Sequence, residues 1–313
     1  MDIEYHYYIT YLIALTSGFE IHEAYTIAYS SQFVDDNHKE YTIYNANNSQ
    51  DCYRNFISAI NERNLNSQKL NSILIPFHFL PDIKIKDIRK DGKIHPLNTV
   101  KNSKFAEYVL VKALESGNLY WIGIATHAYV DTWAHQNFVG IVSSYNALDN
   151  CLAKLLPNIA HLDALDKPDL VGLIWKDSRL KKVKINNVHR FTQASKKLLN
   201  LYIKFTGHYN FNKSQFISEL ECIMKNDNLN CYLDVKRLRG KRLQQYNCIA
   251  KKNSNFDILK YKSQLWMEES ITKQNRYVWK RNINYKKSNW FKFQESIKDH
   301  HTFVISNLKL GWH

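Results

Sequence analysis

The stretch His127-Ala-Tyr-Val-Asp131-Thr-Trp-Ala-His135 constrains this chain more than any other. Three potential metal ligands recur at every fourth residue. On an α-helix a step of four advances about 400°, or about 40° past a full turn. His127, Asp131 and His135 therefore fall within about 80° of one another on one helix face. Two imidazoles and a carboxylate aimed the same way form part of a site for Zn²⁺ or a similar transition metal, carried on a rigid element. A buried polar ladder between helices is the plainer use of such a face. Three potential ligands in register favour the metal.

Turn formers decide the fold expectation. The chain has 9 Gly and 5 Pro in 313 residues, too few for the many tight turns of a sandwich or barrel. We expect an all-α, multi-helix bundle-like domain with a metal site between helices. At 44% hydrophobic and 13% aromatic it can bury a large core. No internal repeat or low-complexity linker divides it, so residues 1–313 read as a single helical domain. Charge is polarised within it. Residues 1–170 carry 14 Lys+Arg against 19 Asp+Glu, and residues 171–313 carry 29 against 10. The acidic half (1–170) holds nearly all candidate ligands. The basic half (171–313) could attract a phosphate-containing substrate, nucleic acid or an anionic membrane surface.

Hydrophobic periodicity places helices over about 5–17, 20–33, 54–64, 103–115, 119–138, 147–155, 188–206, 213–225 and 290–308. Residues 37–50 and 82–102 read as loops. Ile75-Pro76-Phe77-His78-Phe79-Leu80-Pro81 reads as extended, because the prolines disfavour helix. Residues 226–255 are polar, basic and without a clear period. The five cysteines are widely spaced with no C-x-x-C, which suggests neither a disulfide framework nor a thiolate zinc site. The start, Met1-Asp2-Ile3-Glu4, is acidic, unlike a secretory signal, and no window of 18 apolar residues occurs. A cytoplasmic protein is the expectation.

A helix face supplies only part of a coordination shell, since Zn²⁺ takes four ligands, or three and a water. Further candidates are His6, Asp35, Asp36, His78, His161, Asp163, Asp166 and His189. Asp35 and Asp36 sit at a helix end, where adjacent carboxylates repel unless a cation lies between them. They are the candidate catalytic acids. His78 lies in an apolar strip between Phe77 and Phe79, where a core histidine with one hydrogen bond is the commoner occupant.

The order of these residues along the chain resembles that of the zinc-dependent phospholipase C and single-strand-specific nuclease superfamily, all-α enzymes with a His-x-x-x-Asp helix. The resemblance implies that His127 and Asp131 are the helix pair, His78 the preceding ligand and Asp35 or Asp36 the bridging carboxylate. It implies that His135 and His161, with Asp163 or Asp166, hold a second ion, and that His6 serves a third. The chain departs from that superfamily at its start, where Met1-Asp2 replaces an N-terminal Trp ligand. It departs again at His135, four residues after Asp131 where the superfamily has a longer gap, and in the carboxylate spacing after His161. Longer phrases are similar to an uncharacterised bacterial family of unknown function. They are Glu4-Tyr-His-Tyr-Tyr8, Ala28 to Asp36, Pro76-Phe-His-Phe79, His127 to Gln136, Asn187-Val-His-Arg-Phe191 and the Trp-Phe-containing C-terminal helix.

Clustered metal ions lower the pKa of a bound water and neutralise charge growing on a phosphoryl or carbonyl oxygen. We therefore expect a zinc-dependent hydrolase, first a phosphoesterase acting on phospholipid or nucleic acid, with two or three Zn²⁺ or other divalent ions. The alternative is a non-enzymatic helical protein with a structural metal and a basic surface for nucleic acid or membrane. The basic runs 179–184 and 236–242, with Trp279-Lys-Arg and the Trp290-Phe291-Lys292 cluster, are the candidate anion-binding stretches. No G-x-S-x-G, P-loop or G-x-G-x-x-G occurs, and no adjacent His-Asp pair of an HD-type phosphohydrolase.

Overall fold

The computed structural model describes residues 1–45, 48–60, 67–82, 88–148, 158–225, 232–275 and 278–308. The chain opens with a π-helical turn, Glu4–Ile9, that continues into α1 (Thr10–Thr16). Then come α2 (Ile21–Asp36), β1 (Thr42–Asn45), β2 (Asn48–Arg54), α3 (Ser67–Phe77), α4 (Lys104–Ser116) and α5 (Leu119–Ala134). The remainder holds β3 (Ile174–Lys176), β4 (Lys184–Asn186), α6 (Asn187–Thr206), α7 (Lys213–Met224), α8 (Tyr232–Arg237), α9 (Arg239–Ser254) and α10 (Leu265–Ser270). It closes with β5 (Ile271–Lys273), β6 (Trp279–Arg281) and α11 (Asn289–Asn307).

The all-α expectation is wrong: the fold is mixed α/β. A four-stranded sheet runs in the order β2-β1-β6-β5, with β1 and β6 parallel and the outer pairs antiparallel. A second, two-stranded antiparallel sheet joins β3 to β4. Scarcity of Gly and Pro argues against large β architectures, but not against strands of three to seven residues inserted between helices. Strand β1 and the start of β2 form from residues 42–45 and 48–50, which read as polar loop. In β1 only Ile43 is buried, so the apolar signal is a single residue long. The short helix expected at 54–64 is also absent over 54–60, where β2 ends and the chain runs without regular structure. Residues 61–64, and most of the helix expected at 147–155, lie outside the described residues.

Helix signals fared better where caps reinforce the apolar period. Ser103 accepts from the Ala106 amide at the start of α4, and Gly117 ends it in the left-handed region with φ 66°. Asn118 opens α5 by accepting from the Tyr120 and Trp121 amides. Glu20 and Glu23 form a reciprocal capping box on α2. The segment around His78 differs from expectation. Helix α3 runs through Pro76 to Phe77, and His78 follows it directly. Proline at position 76 cannot donate to the Ser72 carbonyl one turn back.

Helix α5 lies at the centre, almost wholly buried from Ile122 to Ala134. Its closest neighbour is α2. A Cβ on Gly123 would stand 2.4 Å from the Ile27 carbonyl oxygen and 2.5 Å from Ser30 Cβ. Only glycine lets these two backbones meet, and that meeting brings the end of α2 over the ligand face of α5. One apolar core runs from Met1 to Leu308 and takes side chains from both the acidic and the basic half.

Candidate metal centre

Five segments bring their polar side chains to the ligand face of α5. His127 and Asp131 project from the helix, and His135 is its C-terminal cap. The π-helical turn supplies His6, the last turn of α2 supplies Asp35, and His78 comes from the end of α3. His161 precedes a short 3₁₀ turn (Leu162–Ala164), and Asp169 follows it in a loop. Among the described residues, three sets of ligand atoms stand close enough to share an ion: His6 with His127 and Asp131, Asp35 with His78 and His127, and His135 with His161 and Asp169.

The tautomers follow from the hydrogen bonds, because a backbone carbonyl can only accept. His127 Nδ1 donates to Ser31 O at 2.7 Å, and His78 Nε2 donates to Ser58 O at 2.9 Å. His135 Nδ1 donates to His78 O and His161 Nδ1 to Leu165 O, both at 2.8 Å. In the neutral ring the other nitrogen is then bare, and in all four that nitrogen points into the cluster. His127 Nε2 and His78 Nδ1 face each other at 3.0 Å. Asp131 Oδ2 stands 3.1 and 3.4 Å from them, and Asp35 Oδ1 3.6 and 3.8 Å. His135 Nε2 lies 2.9 Å, and His161 Nε2 3.4 Å, from the Asp169 carboxylate. Lone pairs facing lone pairs in a buried setting repel unless a proton or a metal cation sits between them. A ring N–H anchored on a carbonyl with the other nitrogen presented is also how metal-ligating histidines are oriented.

His6 is held differently. Its ring stacks on His127 at 3.8 Å, its Nδ1 is 3.4 Å from Ser31 Oγ, and its Nε2 is 3.2 Å from Asp131 Oδ1 without a well-directed hydrogen bond. That leaves a buried imidazole nitrogen without a partner beside a carboxylate. The amino group of Met1 lies against Asp131 and 3.2 Å from Asp169 Oδ1, between the two halves of the cluster.

The electrostatics match this geometry. Burial alone would raise Asp131, but His135, the Met1 amino group, His127 and His6 reverse that and hold it well below the ordinary carboxylate range. Asp169 is lowered in the same way, by the amino group, His161 and His135 against burial. Burial and the neighbouring His127 keep His6 neutral, well below the usual imidazole value. Asp35 is pulled upward by burial against His127 and His78, a pull tempered because a third of its side chain is exposed. Asp35 and His161, at 33% and 22% exposed, are the ligands most open to solvent.

Not every residue singled out in the sequence reaches this cluster. Asp36 turns away, accepting from Tyr261 Oη at 2.7 Å and Gln32 Nε2 at 3.2 Å. Asp163 accepts from the Leu148 amide, and Asp166 binds Tyr232 Oη at 2.5 Å and Lys236 Nζ at 2.6 Å. His189 bonds Gln193 on α6, away from the ligands. The carboxylate that does meet His161 is Asp169, which the sequence reading passed over. Its signal was present, as the last acid of the run from His161 to Asp169, but helical spacing had no purchase on a loop.

The molecule is thus a mixed α/β protein with buried His/Asp groups able to hold metal ions. A family model described as a family of unknown function, DUF6765, matches residues 1–308, and the chain belongs to that family. No curated protein and no solved structure matches it. Nothing in these comparisons ties the chain to the phospholipase C and nuclease superfamily. Among the described residues no helix is long and apolar enough to cross a membrane.

Proposed function

We propose that the chain is a metal-dependent hydrolase, with phosphoesters as the favoured substrate class. The observation that carries this reading is the set of four imidazoles, each fixed by a carbonyl and each presenting a bare nitrogen to a carboxylate. The two ligand sets containing His127 share its single free nitrogen, so they are alternatives for one ion. The His135–His161–Asp169 set makes a second. Two ions, rather than three, fit the donors. Imidazole with carboxylate suits Zn²⁺, with other first-row divalent ions able to compete. Bound there, such ions would supply the positive charge that acidifies a water and offsets charge growing on a phosphoryl oxygen.

The chain's own groups divide the remaining work. Asp131, fully ionised and buried, sets the negative charge that draws cations to the face of α5. Asp35, part-exposed and drawn upward in pKa, is placed to take a proton from an incoming water. Ser31 and Ser58 carbonyls fix the rings of His127 and His78, so little reorganisation is needed when an ion enters. A purely structural ion is the competing reading, favoured by the near-complete burial of His6, His127 and Asp131.

Elemental analysis of the purified chain, combined with hydrolysis of bis(p-nitrophenyl) phosphate, separates the two. The hydrolase reading expects about two ions per chain and turnover that vanishes on chelation and returns with Zn²⁺. Bound metal without turnover on phosphodiester, phosphomonoester or phosphatidylcholine substrates leaves a structural site. No bound metal in wild type removes both.

A further inference from the structure

Four arginines are buried among the described residues, and three of them have a carboxylate of their own. Arg89 pairs with Asp91 through Nε at 2.9 Å and Nη2 at 2.7 Å. Arg179 pairs with Asp177 at the same two distances, and Arg242 with Glu4 at 2.6 and 2.7 Å. Arg190 has none. It is 7% exposed, it has one long hydrogen bond from Nη1 to Ala134 O at 3.4 Å, and its guanidinium lies 5.8 Å from the Trp175 ring centre. A guanidinium carries five N–H donors, and burying it without a counter-charge is costly.

Arg190 lines a cavity of about 710 Å³ between the 98–101 segment, the turn leading into β4 and the first turn of α6. The wall also carries Lys101, Lys181, Lys182, Lys184 and His189, and among the described residues none that lines it is acidic. Lys182 and Lys184 are exposed, and neither forms an ion pair among the described residues. The N-terminus of the 20-residue helix α6 opens onto the same wall, adding the positive end of its dipole. None of the His or Asp ligands of the metal centre lines this cavity. Gln136 and Asn137, which directly follow His135, do.

We infer that this cavity is a second, separate binding site, which takes a phosphoryl anion with Arg190 as its buried anchor and Lys182 and Lys184 at its rim. The planar fork of Arg190 would donate to two phosphate oxygens at once, and the lysines would neutralise the remaining charge without fixing orientation. The group could belong to a free phosphorylated small molecule or to a phosphodiester strand. Both present the same oxygens.

Isothermal titration of the purified full chain with inorganic pyrophosphate tests the site. Lys182→Gln/Lys184→Gln and, separately, Arg190→Gln should each weaken binding tenfold or more, while His127→Ala should leave it within twofold. The surface lysine pair keeps the test decisive if the buried Arg190→Gln variant does not fold. Binding lost in His127→Ala but retained in the lysine variant would assign the anion to the metal centre and overturn the proposal, as would no binding in wild type. Failure of the hydrolase reading would leave these results untouched. Competition by (dT)8 points to a phosphodiester strand, and its absence to a small phosphorylated molecule. Either result is consistent with the site once the lysine variant has lost affinity.

Discussion

Two buried polar clusters grow from the first turn of this chain, and they behave in opposite ways. Glu4 faces α9, where Arg242 meets it through two hydrogen bonds and Tyr246 Oη adds a third at 2.9 Å. His6, two residues on, faces α5 and the end of α2, where its neighbours are His127 and Asp131 on α5 and Asp35 on α2. Both sets are fully withdrawn from water at Glu4 and His6. The first closes on itself: acid meets base and most donors find acceptors. The second, although the Met1 amino group meets Asp131 and Asp169, still leaves imidazole nitrogens facing one another and carboxylate oxygens. Burial of charged groups therefore does not mark a site here. The mark is an account of donors and acceptors that the protein alone does not balance.

The strongest way to break this contrast is to remove Asp131. In metal-loaded protein, Asp131→Ala should cost about 5 kcal/mol, from lost metal linkage and from the stranded partners of a buried charge. It should also lower metal content by at least one ion per chain. Thermal unfolding with and without chelator measures the first, and elemental analysis the second. If chelator shifts wild type and variant equally, Asp131 does not bind the ion.

The closed cluster should respond in the other sense. Arg242→Met leaves Glu4 buried with Tyr246 and the more distant Arg239 Nε, at 3.9 Å, as partners and should cost about 3 kcal/mol, with metal content unchanged. Glu4→Leu combined with Arg242→Met should recover most of that loss, since an ion pair replaced whole by apolar groups is often near neutral. Urea unfolding of the single and double variants reads this directly. A double variant as weak as the single one would mean that the pair does more than close its own charge.

The metal face and the closed pair were not equally legible beforehand. His127 and Asp131 announce themselves because helix periodicity is regular and α5 keeps it for 16 residues. His135 shared that spacing, although the helix stops at Ala134 and leaves it as the cap. Asp35 and Asp36 could not be told apart, since adjacent residues at a helix end differ by a rotation that only the packing of α2 settles. Asp169 lies beyond a 3₁₀ turn, where no period applies. The Glu4–Arg242 pair joins positions 238 residues apart, which no local pattern encodes. The sheet escaped for a related reason: β1 and β6 pair across more than 230 positions, and each is only three or four residues long.

His300 sharpens the comparison from within one residue type. It is buried like His127, but both of its nitrogens are satisfied by protein. Nε2 donates to Pro76 O at 2.9 Å, and Nδ1 accepts from Trp121 Nε1 at 3.2 Å. Burial lowers it from 6.5 to about 4, with only the Pro76 bond opposing. Because the folded-state value is the lower one, the unfolded chain binds the extra proton in between. The stability it contributes is fully present above pH 6.5 and drains away as pH falls toward 4, by about 3 kcal/mol. Urea unfolding at pH 7 and pH 4.5, in chelator, should show that loss in wild type and a flatter response in His300→Gln. Equal slopes would place the pH sensitivity elsewhere.

The smallest expected effects separate two neighbouring acids. Asp35 faces His78 and His127, whereas Asp36, one residue on, is held by Tyr261 and Gln32 in the wall of a different cavity. Asp35→Asn removes a charge from the metal face but keeps its shape and its acceptor oxygen. It should weaken metal affinity about tenfold, the scale seen when groups supporting a metal site are changed. Asp36→Asn keeps one acceptor for Tyr261 and should cost about 1 kcal/mol or less, with metal affinity unchanged. Competition against a chromogenic chelator measures both. The same result for the two variants would mean that α2 does not hold the register described here, and Asp35 would lose its place in the site. A difference confined to Asp35 would show that a single step along α2 separates a ligand from a half-buried acid held by Tyr261 and Gln32, because the close approach at Gly123 sets how that helix is turned.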